Sequence, residues 1–293
     1  MQIGRALTPD GRIRTVLLDG HSVFALPEDL TFDALLHLPV AGLRQALERA
    51  GREPMPQSRL LKPIQGQEVW AAGVTYQRSR DARIEESITP DPYDRVYVAA
   101  RPELFFKATP GRVRGPGEAI AVRADSSWDV PEPELAVICN AGLEVVGYTI
   151  GNDVSSRSLE GENPLYLPQA KIYDGSCALG PAITPAWDYD PRDRAITLEI
   201  LRDGTILFAS QISTRAMRRE IAELLSYLGR HNRFADGVVL LTGTGIVPPE
   251  SFTLRPGDEV VIRIDGLGEL RNAVESLAVD HGKVATLPAE KTV

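Results

Sequence analysis

The sequence contains few of the residues that mark several common classes of protein. Among its 293 residues are only two cysteines, Cys139 and Cys177, which are too few for a disulfide framework and lack the spacing of a metal motif. Four histidines occur, but no Ser/His/Asp or Cys/His arrangement of a nucleophilic enzyme accompanies them. Basic residues number 32 against 40 acidic ones, and this net charge of −8 argues against a nucleic-acid groove or a polybasic membrane surface.

Long apolar segments are also missing. No run of 18 apolar residues occurs, so the sequence predicts no transmembrane helix. Charged residues at Arg5, Asp10, Arg12 and Arg14 exclude the apolar core of a signal peptide near the start. We therefore expect a cytoplasmic protein without a membrane partner.

Lysine is scarce as well. Five of the 32 basic residues are lysines and the other 27 are arginines, so arginine carries most of the positive charge. Each lysine is therefore a candidate for a specific role. The five are Lys62, Lys107, Lys171, Lys283 and Lys291.

Residues 1–65 predict a small N-terminal α/β domain. The pair Asp19-Gly20 supplies the positive φ of a hairpin turn between two apolar segments. Apolar residues recur at helical spacing between residues 31 and 51, and Pro39 divides that segment into two helices. Residues 52–66 contain three prolines and little periodicity, which is typical of a linker.

Residues 66–293 form the second predicted domain, in which strand signals dominate. Hairpins are predicted over 134–150, 196–209 and 260–274, each with glycine in its turn. One helix interrupts them, with Ser213 or Thr214 as its N-cap and Gly229 as its C-cap. Its apolar stripe comprises Met217, Ile221, Leu224, Leu225 and Leu228. Strands and helices do not alternate regularly, so we expect an α+β, mainly β fold, with the strands closed into a roll.

Three carboxylates in this region form a candidate metal site. Glu132 and Glu134 project from the same side of a strand because side chains two residues apart share a face. The predicted hairpin returns Asp153 to the start of that strand. Three convergent carboxylates are a ligand set for Mg²⁺ or Mn²⁺. The alternatives are a solvated acidic loop for the two glutamates and a turn or helix cap for Asp153.

Two further segments carry candidate substrate-binding groups. Lys171 follows Asp153 by 18 residues among apolar neighbours, where it would pair with a substrate carboxylate or stabilise an enolate. An ordinary surface lysine is an equally good interpretation. The segment Thr242-Gly243-Thr244-Gly245 lacks the glycine spacing and lysine of a nucleotide site, but its N–H groups and hydroxyls suit a small carboxylate.

Together these segments resemble the fumarylacetoacetate hydrolase superfamily over about residues 66–280. The matching segments are Trp128 to Leu135, Gly151 to Arg157, Lys171 with Asp174 and Gly180-Pro181, Thr242 to Gly245, and Pro256-Gly257-Asp258 before Gly268 and Asn272. The resemblance implies a β-roll catalytic fold and a homodimer or higher homo-oligomer. It also implies a Mg²⁺-type ion, held by Glu132, Glu134 and Asp153, that binds a small-molecule 2-oxo acid, with Lys171 as the active-site lysine.

The sequence departs from this family in the segment that forms its lid. Hydrolases of the superfamily carry a His–Glu pair there that activates water, whereas this chain has Ser79 and Ala82 at the matching positions. The segment Tyr76 to Glu86 and residues 160–166 instead resemble the sugar-acid branch of the family. That branch implies dehydration of a 2-dehydro-3-deoxy sugar acid, a pentonate, to 2,5-dioxopentanoate. The alternatives are hydrolysis of a 2,4-diketo-3-deoxy sugar acid or an acylpyruvate, and a catalytically silent sugar-acid-binding protein.

Dehydration requires a base at C3 and an acid for the departing hydroxyl. We expect Glu85 or Glu86, on the lid, to fill these roles beside Lys171. We expect the substrate to be contacted by six further residues: Tyr76, Ser79, Arg80, Lys107, Gln169 and Thr244. For Lys107, which lies on an apolar strand before the metal motif, a structural role is an equal alternative.

Overall fold

The structure is a computed structural model that describes residues 1–20, 22–55, 58–86 and 91–277. Within these ranges the side chains of Arg83, Glu85, Glu86 and residues 91–94 are outside the description. His21 and His281 lie outside the described residues, as do Lys283 and Lys291.

The N-terminal region contains the predicted hairpin and both predicted helices. Thr31 caps the first helix by accepting a hydrogen bond from the N–H of Ala34, and Pro39 directly precedes the second. Two short strands lie within the segment predicted as a linker. The elements are β1 Gln2–Leu7, β2 Ile13–Asp19, β3 Ser22–Ala25, α1 Phe32–Leu36, α2 Val40–Arg49, β4 Glu53–Pro54 and β5 Arg59–Leu61.

Strands dominate the rest of the described chain, as predicted. The strands are β6 Glu68–Gly73, β7 Glu103–Ala108, β8 Val113–Arg114, β9 Ile120–Arg123, β10 Asp129–Val130, β11 Pro133–Cys139, β12 Val145–Asp153, β13 Ser155–Ser156, β14 Cys177–Pro185, β15 Ala195–Arg202, β16 Thr205–Ser213, β17 Val238–Leu241, β18 Glu259–Ile264 and β19 Gly268–Leu277. The helices are α3 Gln77–Glu86, α4 Asp91–Val98, α5 Arg157–Glu162, α6 Leu167–Lys171 and α7 Ile221–Leu228.

The strands form one large sheet, one smaller sheet and a two-stranded ribbon of β10 and β13. The twelve-stranded sheet has the order β4-β3-β2-β1-β14-β12-β11-β17-β6-β7, with β5 paired to β1 and β8 paired to β14. The five-stranded sheet has the order β16-β15-β18-β19-β9. Because β1 pairs with β14, the large sheet continues from the N-terminal region into the rest of the chain. The division into domains at residues 65 and 66 stays a prediction.

Strand β11, at the centre of the large sheet, is buried on both faces. One face, with Leu135 and Val137, packs in a core with residues of the five-stranded sheet such as Ile262. The other face, with Ile138, packs in a core with Leu43 of α2. Because the strand is packed on both faces, its position is fixed, and the residues just before it and at its start are held in place with it. The mainly β fold is confirmed, and the described residues include no helix long and apolar enough to cross a membrane.

The helix that interrupts the strands begins later than predicted. Helix α7 starts at Ile221, after Glu220, and ends at Gly229 as expected. Met217 is not part of it and instead forms a β-bridge with Tyr76. The neighbouring N–H of Arg218 donates to the carbonyl of Thr75, 2.9 Å away. These backbone contacts hold the predicted first turn against another segment, so Met217 stays outside the helix and the other four residues of the apolar stripe become helical.

Candidate active site

The hairpin of β11 and β12 brings the three predicted metal ligands together. Pro133 lies opposite Asn152, so Glu132 and Asp153 are neighbours at the open end of the hairpin. The N–H of Asp153 donates to the carbonyl of Glu132 at 2.9 Å, and the N–H of Glu132 donates to the side-chain oxygen of Asn152 at 3.2 Å. Carboxylate oxygens of Glu132, Glu134 and Asp153 lie within 4.8 Å of one another.

The chemistry of this cluster fits a hard divalent cation. All three carboxylates are at most 3% exposed, so water screens their mutual repulsion poorly. Burial is the main cause that raises the pKa of Glu134 well above its usual range, and the charges of Asp153 and Glu132 add to it. A cation among the oxygens would remove this repulsion, and an all-oxygen ligand set is the one that Mg²⁺ prefers.

Three cationic side chains surround the same carboxylates. Lys171, at the end of α6, places its Nζ 2.8 Å from Glu132 Oε2 and 3.0 Å from Asp153 Oδ2. Arg157, at the start of α5, places Nη2 2.8 Å from Glu132 Oε1. Lys107 of β7 places Nζ 2.6 Å from Asp153 Oδ1. The cluster therefore contains three carboxyl groups and three cationic side chains within a buried volume.

Glu134 is held by the glycine-rich segment rather than by a cation from that set. The N–H of Gly243 donates to Glu134 Oε2 at 2.6 Å. Thr242 anchors this segment to β11 because both its N–H and its hydroxyl donate to the carbonyl of Leu135. At least one N–H of the segment therefore orients a candidate metal ligand.

A cavity opens onto these groups from the ends of β6, β7 and β11. The space into which a water-sized group can fit is small, about 20 Å³, which is enough for about one water molecule. Its lining comprises Ala72, Gly73, Val74, Ser79, Glu103, Phe105, Glu132, Glu134, Asp153, Glu160, Leu167, Lys171, Gly243 and Thr244.

The structure places two of the six predicted substrate contacts, Ser79 and Thr244, in the cavity lining. Tyr76 is buried, and its pKa is raised by burial and by the charge of Glu134, but it is not part of the lining. Lys107 contacts Asp153 but is not part of the lining.

The other two predicted contacts for which the structure describes side chains, Arg80 and Gln169, are also not part of the lining. Arg80 packs its guanidinium 5.3 Å from the ring centre of Tyr97. Gln169 is exposed, and its carbonyl accepts a hydrogen bond from Arg123 at 3.2 Å. The side chains of Glu85 and Glu86, the predicted acid and base, lie outside the part of the chain that the structure describes.

Three cavity or cluster residues were not predicted from the sequence. Arg157 is a fully buried arginine four residues after Asp153, inside a segment that the family resemblance already covers. Glu160 follows it by one helical turn and lines the cavity. Glu103 comes from β7, which the sequence predicts only as an apolar strand, and no local spacing connects it to the metal motif.

Comparisons with known proteins agree with this geometry. The family model described as fumarylacetoacetate (FAA) hydrolase C-terminal matches residues 69–275. The chain is 54% identical over 216 residues to a Haloferax volcanii protein named "Probable 2-keto-3-deoxyxylonate dehydratase", covering 73% of this chain and 74% of that protein. It is 48% identical over 222 residues to the "2-dehydro-3-deoxy-D-arabinonate dehydratase" of Saccharolobus solfataricus, covering 74% of each.

A solved structure extends the likeness to almost the whole chain. It is the "2-keto-3-deoxy-D-arabinonate dehydratase complexed with magnesium and 2,5-dioxopentanoate", with a TM-score of 0.81 and 38% sequence identity. The match covers 94% of this chain and 99% of that one. The likeness therefore includes the N-terminal region as well as the part that the family model matches.

Proposed function

We propose that this chain, which belongs to the fumarylacetoacetate hydrolase family, is a sugar-acid dehydratase of that family. Its proposed reaction converts a 2-dehydro-3-deoxy pentonate to 2,5-dioxopentanoate. The observation that carries this proposal is the pair of dehydratases with which it shares about half of its aligned residues. The net reaction removes one hydrogen from C3 and the hydroxyl from C4 as water, which leaves a C3=C4 enone with a hydroxyl on C5. Transfer of a proton from C5 to C3 then gives a C4=C5 enol, and this enol tautomerises to the C5 aldehyde without further gain or loss of atoms.

The metal site of this reaction is assigned to Glu132, Glu134 and Asp153, with Mg²⁺ as the ion and Mn²⁺ as a substitute. When bound, a divalent ion supplies positive charge that acidifies the C3 protons of a 2-oxo acid. The support from this chain is the buried, oxygen-only ligand set and the raised pKa of Glu134. The support from outside is the related structure that contains magnesium.

Lys171 is assigned to the substrate. Its ammonium group bridges Glu132 and Asp153 and also lies 5.7 Å from the ring centre of Phe105, so it is held at the cavity wall. A cation in this position stabilises negative charge as it develops on the substrate during loss of the C3 proton. The lysine keeps its own proton throughout, and no bond forms between it and the substrate.

Proton transfer is assigned to the two carboxylates of the described lining that are not in the metal cluster, Glu103 and Glu160. We assign removal of the C3 proton to Glu103, whose carboxylate lies in the cavity lining and occupies the space that a side chain at Gly73 would need. Glu160 is nearly fully buried beside the cavity and delivers the proton that leaves with the C4 hydroxyl. Glu85 and Glu86, whose side chains lie outside the described part of the chain, remain predicted candidates for the same proton transfers.

At the two lid positions where the family's hydrolases carry their water-activating His–Glu pair, this chain has Ser79 and Ala82. The Ser79 hydroxyl, in place of the family histidine, donates to the carbonyl of Tyr76 at 2.8 Å, and Ala82 is an apolar buried residue. Neither residue can take a proton from water. This favours dehydration over cleavage of a diketo sugar acid or an acylpyruvate.

The test is a panel of substrates with Mg²⁺. The panel contains the stereoisomers of 2-dehydro-3-deoxy pentonate, a 2,4-diketo-3-deoxy sugar acid and an acylpyruvate, and products are identified by mass spectrometry. We expect 2,5-dioxopentanoate from at least one pentonate. Pyruvate or another fragment from the diketo acids, with no dehydration of any pentonate, would show that the chain is a hydrolase instead. No turnover of any compound would favour a binding protein.

Assembly and location are proposed on the family resemblance. We infer a homodimer or higher homo-oligomer in the cytoplasm, where the two buried free thiols, Cys139 and Cys177, stay reduced. Light scattering on the purified protein at micromolar concentration measures the mass directly. A particle of 32.0 kDa would be the monomer and would contradict the proposed assembly.

A further inference from the structure

The Glu103 carboxylate lies on a glycine of the neighbouring strand. Strands β6 and β7 are antiparallel, and Gly73 is directly opposite Glu103 in their register. Directly opposed residues of an antiparallel pair project from the same face, so a side chain at position 73 would stand beside Glu103. Both residues line the cavity that contains the metal cluster.

The space above Gly73 is filled by this carboxylate. A Cβ atom added to Gly73 would lie 2.1 Å from Glu103 Oε2 and 2.6 Å from Glu103 Cδ. Real Cβ contacts essentially never fall below 3.0 Å, so the oxygen would have to move by at least 0.9 Å, from 2.1 to 3.0 Å. The clash is with the end of a flexible side chain and not with backbone, so the strand itself is not obstructed.

Backbone conformation does not explain the glycine. The positive φ at this bend belongs to Val74, at 51°, and Gly73 is not in the left-handed region. Other glycines near the site differ in this respect. Gly243, for example, combines a φ of 90° with close contact to Thr75. At position 73 an alanine therefore suits the backbone, and its conflict is with the position of Glu103.

The geometry points to Gly73 as a positioning residue: because it has no side chain, the Glu103 carboxylate can occupy the space above it, and from there it receives the C3 proton of a 2-oxo acid. This inference rests on the proposed function through the role given to Glu103. It goes beyond that function because Gly73 neither binds substrate nor carries a proton. Any side chain at position 73 would leave Glu103 present but displaced.

The test uses a reaction that needs the C3 base and does not need departure of the C4 hydroxyl. Pyruvate is a 2-oxo acid whose C3 is a methyl group, so proton abstraction at C3 appears as exchange of the methyl protons with solvent deuterium. The Mg²⁺-loaded full chain is incubated with pyruvate in D₂O, and the loss of the methyl signal is followed by NMR. Because no dehydration is involved, a chain that exchanges pyruvate but dehydrates no pentonate would contradict the proposed function alone.

Five proteins are compared: wild type, Gly73→Ala, Glu103→Gln, the double variant and Gly111→Ala. A displacement of about 1 Å costs roughly 100-fold in rate, so Gly73→Ala should lower the exchange rate by about that factor with an unchanged KM for pyruvate. Glu103→Gln should lower it by about 10²–10⁴-fold. The double variant should be no slower than Glu103→Gln, because Gly73 acts through Glu103. Gly111 has ordinary backbone and nothing within 4 Å of its added Cβ, so Gly111→Ala should match wild type.

Several results would overturn the inference. Wild-type exchange by Gly73→Ala, with wild-type Mg²⁺ affinity, would show that the glycine does not position the base. A further loss in the double variant beyond that of Glu103→Gln would show that Gly73 acts independently, through the fold. Wild-type protein that fails to exchange pyruvate, or Glu103→Gln that exchanges it normally, would remove Glu103 as the base and the inference with it.

Discussion

Replacement of Lys107 by methionine tests whether the metal cluster is balanced by a buried cation. Lys107 is fully buried, and its Nζ lies 2.6 Å from Asp153 Oδ1. The same group donates to the carbonyl of Val154 at 3.1 Å and to the carbonyl of Lys171. Methionine fills a similar volume but supplies neither the charge nor the hydrogen bonds, so Lys107→Met leaves Asp153 with one fewer cation and leaves two carbonyls without this donor.

The expected cost is large. Breaking a buried ion pair by removing one partner costs about 3–5 kcal/mol, and each lost hydrogen bond adds about 1 kcal/mol. At roughly 2–4 °C per kcal/mol for a chain of this size, the midpoint of thermal unfolding should fall by about 10 °C or more. Saturating Mg²⁺ should reduce the difference from wild type, because bound positive charge beside Asp153 replaces part of what was lost.

Urea unfolding with and without Mg²⁺ measures this effect, and Lys62→Met is the matched control. Lys62 donates to the carbonyls of Pro110 and Val113 and, among the described residues, has no carboxylate within 4 Å. Its replacement should cost about 1–2 kcal/mol and should not respond to Mg²⁺. If Lys107→Met is no less stable than Lys62→Met, the balance of charge described for the cluster is wrong.

Three further changes address the ligands, the lysine and a buried acid. Glu134→Gln keeps the shape of the side chain and removes its charge, so Mg²⁺ affinity measured by calorimetry should fall by more than the roughly 10–100-fold typical of an outer-shell change; unchanged affinity would exclude Glu134 as a ligand. Lys171→Met removes a cation beside two ligands, so turnover should fall by about 100-fold or more while Mg²⁺ binds at least as tightly; near-normal turnover would contradict its role. Burial raises the pKa of Asp129 from 3.8 to about 6, so the folded protein holds this proton more tightly and loses about 3 kcal/mol of stability as the pH rises through that interval. Asp129→Asn should therefore gain about 2 kcal/mol relative to wild type between pH 4 and pH 7 in urea unfolding, because at pH 4 part of the effect is already lost, and an equal difference at both pH values would count against the shifted pKa.

The part of the site that depends on one hairpin could be predicted from the sequence. Asn140 to Gly142 form a local turn, and the register of a hairpin follows from its turn and its pattern of buried residues. That register alone brings Asp153 next to Glu132. The burial of Lys171 was left open by the sequence, since its spacing from Asp153 is equally compatible with an exposed lysine.

The parts that depend on distant pairing could not be predicted. Glu103 reaches the cavity because β7 pairs with β6 and β6 pairs in parallel with β17, and no local turn determines either pairing. The opposition of Gly73 and Glu103 follows only from that register. The prediction of the first turn of α7 was wrong for a related reason, because Met217 pairs with a residue more than a hundred positions earlier. Local patterns do not report such contacts.

The proposed reaction removes water from a five-carbon 2-oxo acid without breaking a carbon–carbon bond. Carbon-13 NMR of uniformly labelled 2-dehydro-3-deoxy pentonate, incubated with the protein and Mg²⁺, tests this directly. We expect a single product with all five carbons still connected, an aldehyde carbon at C5 and a mass lower by one water. Two labelled fragments, one of them pyruvate, would contradict it.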